Sequence, residues 1–140
     1  MAFIINTGAV KVPLEDNLGR VFGYAVYVPT DVGILDRYHH ASHYLDEMAE
    51  AFKKIDPNTV THENALELLE FPKEKLKEFC DFVFGNGFFD SAFANINPFA
   101  GEDKFVCVQI IEGVLNDIKE RQEARKQKEA KYLKGYSKNE

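Results

Sequence analysis

The feature that most constrains the fold of this chain is a change of hydrophobic period at Asp31. Before it, VKVPL (Val10–Leu14) and VFGYAVYV (Val21–Val28) alternate along their length and are rich in β-branched and aromatic residues. A period of two suits pleated strands with one covered face. Between them Asp16, Asn17 and Gly19 supply a tight turn. The expectation is a β-hairpin, with FIIN (Phe3–Asn6) as a candidate third strand and Pro13 and Gly23 at edge or bulge positions. Three short strands cannot hold a core alone, so one face must lie on helices or on another subunit.

From Asp31, a good N-cap, the spacing becomes three and four: Ile34, Tyr38, Ala41, Leu45, Met48, Phe52 and Ile55 form one stripe. The Asp56-Pro57-Asn58 breaker ends it. A second helix opens at Thr61-His62-Glu63-Asn64, and Phe71-Pro72 is expected to stop or kink it. A third runs from Pro72 into Gly85. Asn97-Pro98 belongs to a loop, and a last helix starts near Glu102 with Phe105, Val108, Ile111, Leu115 and Ile118 on one face. The fold class is therefore α+β, an N-terminal hairpin or small antiparallel sheet followed by four or five helices. One domain spans residues 1–140: a β-rich part (1–30), a helical body (31–118) and a charged helical tail (119–140).

Charge separates body from tail. Residues 1–118 carry 9 Lys+Arg against 19 Asp+Glu, whereas residues 119–140 carry 8 against 4. An acidic body disfavours phosphate backbones, so no nucleic-acid partner is expected, and the basic tail reads as a solvated helix end. No segment approaches the ~20 apolar residues of a membrane span, and MAFIINTGAV lacks the basic start of a signal peptide. A cytoplasmic protein without a membrane partner is expected. Cys80 and Cys107 lack zinc or redox spacing and read as reduced structural thiols.

One stretch invites a chemical reading. In DRYHHASHYLDE, His39 and His43 lie four apart, as do Asp36 and His40, and His43 and Glu47. That spacing stacks side chains on one helix face, as helical metal ligands do. A metal-dependent enzyme using His39, His40 and His43 is thus an alternative. Against it, there is no HExxH and no ExxH from a second helix, and the histidines flank the apolar stripe. Ser42 and Ser91 lack an elbow motif, and Gly85-Asn86-Gly87 is no phosphate loop. The expectation is no enzyme, no metal and no cofactor.

The sequence instead concentrates aromatic surface. Eight of twelve phenylalanines fall between Phe79 and Phe105, six of them in FCDFVFGNGFFDSAF around a glycine bend, and tryptophan is absent. Phe79, Phe82, Phe89 and Phe93 fit helical spacing and read as core; four or five such rings contribute on the order of 10 kcal/mol before entropic costs. Phe84, Phe88 and Phe99 are the rings expected to stay outside. Partner binding is assigned to Phe84, Phe88, Phe89, Phe93 and Phe99 as a contact patch. The small sheet and this bend also predict a homo-oligomer.

The order of these elements resembles the tail assembly chaperones of long-tailed phages and prophages of Gram-positive bacteria. A hydrophobic helix ends in Phe84-Gly85-Asn86-Gly87, Phe93 follows, then the Asn97-Pro98 loop. A final helix beginning with Phe105 passes into an Arg/Lys/Glu-rich run ending near Lys131-Tyr132. The likeness covers about Phe71 to Tyr132 and is looser before that. Phe88 stands where a small polar residue is expected, and the chain continues past Tyr132. The resemblance implies a non-catalytic role in virion morphogenesis in the host cytoplasm. Such chaperones bind the long, aggregation-prone helices of the tape measure protein while tail tube protein assembles around it, then leave. The tail tube protein is thereby a further partner. A third possibility is a helical adaptor that uses the basic tail.

Overall fold

In the computed structural model, which describes residues 1–138, Asp16 organises the first turn. Its carboxylate accepts the amides of Leu18 (2.8 Å) and Arg20 (3.0 Å), and its backbone pairs with Arg20 and Gly19. This closes an antiparallel hairpin of β1 (Val10–Glu15) and β2 (Val21–Tyr27), in register from Val10 opposite Tyr27 to Leu14 opposite Gly23, with an irregularity at Leu14/Glu15. Along β1, Val10, Val12 and Leu14 are half-buried while Lys11, Pro13 and Glu15 face out, as the alternating sequence requires. The hairpin forms as expected and the candidate third strand FIIN does not; the sheet has two strands, and Phe3, Ile4 and Ile5 are 85%, 99% and 73% exposed.

Helix α1 (Gly33–Lys53) buries Ile34, Ala41 and Met48, with Tyr38, Leu45 and Phe52 partly covered beside them, the stripe read from the sequence. Asp31 accepts the Gly33 amide at 2.9 Å and so ties down its first turn. Thr61 and Asn64 exchange side-chain-to-backbone hydrogen bonds (2.6 and 3.2 Å) ahead of α2 (Ala65–Phe84). The expected break at Phe71-Pro72 does not occur: Pro72 lies inside α2 and is buried. The missing proline amide removes one ladder bond, and Pro72 is buried with Leu76 and Phe79 on the same face, so the helix continues through it.

A short α3 (Phe88–Ala92) follows the glycine bend, and α4 (Val106–Lys138) ends the described chain. It starts after Phe105 rather than near Glu102. Cys107, Ile110, Ile111, Val114, Leu115 and Ile118 form its buried face. Beyond Gln122 its described side chains are exposed through Lys131. One continuous apolar cluster runs from β2 through α1, α2 and α3 to α4. No helix among the described residues is long and apolar enough to cross a membrane.

Gly23 decides how the hairpin docks. A Cβ there would stand 2.5 Å from the Ala92 carbonyl oxygen and 2.8 Å from that of Ser91. Only a bare backbone lets β2 lie this close to α3.

Candidate functional site

The phenylalanine bend was the first candidate, and its local chemistry explains where its rings go. Gly85 (φ 128°) and Gly87 (φ 91°) take backbone angles that side chains other than glycine rarely adopt. The chain thereby reverses between α2 and α3. Asp81 accepts the Phe89 amide at 3.1 Å and closes the start of α3. Arg37, held at 2.7 Å by Asp31, reaches from α1 to the Val83 carbonyl.

The reversal folds α3 back on α2, so the rings on both sides of the bend look inward. Phe84 and Phe88 lie 4.6 Å apart between centroids, Phe89 and Phe93 5.1 Å. Phe84, Phe88, Phe89 and Phe93 are all buried, Phe88 to 1% exposure. The expectation that Phe84 and Phe88 stay outside is corrected, and in this conformation these four rings present no contact patch. Phe99 is half-buried in a triad with Phe52 (4.7 Å) and Phe105 (5.8 Å) that staples the 97–105 loop to the end of α1.

The ring near the bend that does face outward is Phe82, 51% exposed, with Phe71 (49%) on the same side of α2. Both were legible. Pro72, Leu76, Phe79 and Val83 recur at spacings of four, three and four and define the buried stripe, which leaves residues 71 and 82 beside it.

A concave, partly apolar surface lies elsewhere, between the hairpin and α4. It is a groove of about 960 Å³, walled by Val12, Leu14 and Phe22 from the hairpin, Ile96 from the preceding loop, and Ile110 and Val114 from α4. At one end the Tyr27 hydroxyl donates to Asp117 Oδ2 at 2.5 Å, and Arg121 Nε lies 3.0 Å from the same oxygen. Burial, the hydrogen bond to Asp117 and that carboxylate's charge together push the Tyr27 phenol well above its ordinary value. For Asp117, partial burial opposes the charge, yet the Tyr27 hydroxyl and the Arg121 guanidinium hold its pKa below the usual carboxylate range. The groove thus combines apolar walls with a fixed polar end, the usual make-up of a binding cleft. Gly113 lines it, is exposed, and has open space where a side chain would begin. Local periodicity could not reveal this site, because Tyr27 and Asp117 are 90 residues apart.

The histidines sit on an open helix face. His39, His40 and His43 are exposed; His40 lies 3.6 Å from Asp36, while His43 Nδ1 lies 3.0 Å from the His40 carbonyl oxygen. Among the described residues, no three His, Cys, Asp or Glu side chains converge as metal ligands would. Cys80 and Cys107 are buried and unpaired with each other. Burial raises the Cys80 thiol pKa and pushes that of Cys107 up to about 11, which keeps both protonated and unreactive at neutral pH.

No protein-family model matches this chain, and comparison with curated proteins and with solved structures likewise finds no match.

Proposed function

We propose that the chain is a phage tail assembly chaperone that holds an apolar helical stretch of the tape measure protein in the groove between the hairpin and α4. The groove is the observation that carries this reading: apolar side chains from the hairpin and α4, with charged residues among them, suit an amphipathic helix presenting anchors at i, i+3, i+4 and i+7. The order of elements around the phenylalanine bend supplies the family resemblance, although its rings serve the core and leave client contact to the groove. The acidic body, with 19 carboxylates against 9 basic side chains in residues 1–118, keeps a complex with an oily client dispersed. On this reading no bond is made or broken. The protein acts in the host cytoplasm alongside tail tube protein and is absent from the finished virion.

Coexpression tests it. A tape measure protein that is insoluble alone becomes soluble with this chain, and Gly113→Lys, which plants a long side chain in the groove, abolishes the effect while the fold survives. Lack of affinity for every tape measure segment, measured with purified protein, overturns the proposal.

A further inference from the structure

Residues 1–5 leave apolar surface uncovered, with Phe3, Ile4 and Ile5 in succession and each at least 73% exposed. Local hydrogen bonds order the residues that follow it. Asn6 Oδ1 accepts the Gly8 amide (3.0 Å), Thr7 Oγ1 accepts the Ala9 amide (3.3 Å), and the Cβ position of Gly8 lies 3.4 Å from Thr30 Oγ1. β1 then begins at Val10, opposite Tyr27, whose hydroxyl marks the polar end of the groove. The same chain therefore displays an apolar arm and an apolar trough side by side, with neither filled by the other.

We infer that two copies of this chain exchange arms, the Phe3-Ile4-Ile5 segment of each lying in the other's groove against Phe22, Ile96 and Val114. Charge favours the arm as the connecting element. Residues 1–9 have no charged side chain, whereas the bodies carry excess carboxylates, with Glu15, Asp16, Glu102 and Asp117 on the groove itself. A segment without acidic side chains enters that rim without the repulsion that opposes body-to-body contact. Area supports it too. Reciprocal burial of three large side chains per copy, with matching groove surface, removes on the order of 1,500 Å² from water, the size of a standard specific interface. This exchange shares the groove with the proposed client but rests on the chain alone. A client helix would displace the arm.

Sedimentation velocity of the full chain without any client is the test. The unaltered chain sediments as a dimer at tens of micromolar. Ile4→Asp in the arm and Gly113→Lys in the groove each raise the dissociation constant by about tenfold or more, the scale of losing one buried anchor. Circular dichroism shows both variants folded; Gly113→Lys improves helix propensity and Ile4 touches no core. Mixing chains bearing Ile4→Cys with chains bearing Gly113→Cys under an added thiol oxidant, which takes up the two electrons, then yields a disulfide at dimer mass beyond that of either chain alone. A monomeric unaltered chain overturns the exchange, as does a dimer indifferent to both substitutions. A chain carrying both cysteines that closes the bridge at monomer mass also overturns it, by showing the arm in its own groove. Ile4→Asp keeps the client-solubilising activity if the chaperone reading holds, so the two proposals fail separately.

Discussion

Arg37 donates from Nε and Nη2 to a single backbone carbonyl, that of Val83, at 3.1 and 3.0 Å. Val83 lies one residue before the end of α2, where carbonyls have no partner in the helix ladder. A cation from α1 thus satisfies the strand of backbone that enters the glycine bend. Asp31, 2.7 Å away, fixes that guanidinium and at the same time anchors the first turn of α1.

Replacing Arg37 by methionine keeps most of the aliphatic stem and removes the donors. The Val83 carbonyl is then left without its partner, at a cost of about 1–3 kcal/mol. Urea denaturation followed by circular dichroism measures this, with the helical content of the folded state unchanged.

Acid stability follows from the same pair. The hydrogen bond from Arg37, working against burial, holds the Asp31 carboxyl below its ordinary value, and Asp117 is lowered likewise by Tyr27 and Arg121. Folded-state values below the unfolded ones mean that the stabilisation is complete above the unfolded carboxylate pKa, near 3.8. It is lost as pH falls through the folded values. Stability should therefore drop below about pH 4, and Arg37→Met should flatten that drop. An unfolding midpoint measured at intervals between pH 2 and 6 checks the sign.

Gly23→Ala tests the docking of the hairpin. Its new methyl group would meet the backbone carbonyl oxygens of Ala92 and Ser91 at 2.5 and 2.8 Å, and backbone cannot rotate aside. The expected loss is about 1–3 kcal/mol, as for overpacking a core. Gly113→Ala, with open space around it, should do no harm and gives the control.

Phe88 and Phe82 should part company although both belong to the same aromatic run. Phe88→Ala opens the core and costs about 3–5 kcal/mol. Phe82→Ser, on the outward side of α2, should cost under about 1 kcal/mol. Thermal unfolding of the two variants reads the difference, and equal losses would contradict the burial described above.

The two thiols should be silent toward a disulfide reagent at pH 8 while the protein is folded. Their burial and raised pKa values leave almost no accessible thiolate. Labelling should proceed at the rate of opening and complete only in denaturant.

The amino-acid sequence by itself determined the hairpin and the apolar face of the first helix. Alternation from Val10 to Val28 and the three-and-four spacing from Ile34 to Phe52 each record which side of one element meets the core, and such information is local. The turn at Asp16, the Thr61/Asn64 start and the glycine reversal were legible for the same reason, since side chains a few residues apart set them. Packing decided the rest. Pro72 reads as a helix break in isolation, yet tertiary burial outweighs one lost hydrogen bond. The inward rings of Phe84 and Phe88 depend on α3 folding back across α2, which spacing along either helix does not encode. The groove exists only because Tyr27 and Asp117, 90 residues apart, are brought to one hydrogen bond. Local periodicity tells each segment which face to hide, but a cleft is the space left between segments, and only their three-dimensional arrangement creates it.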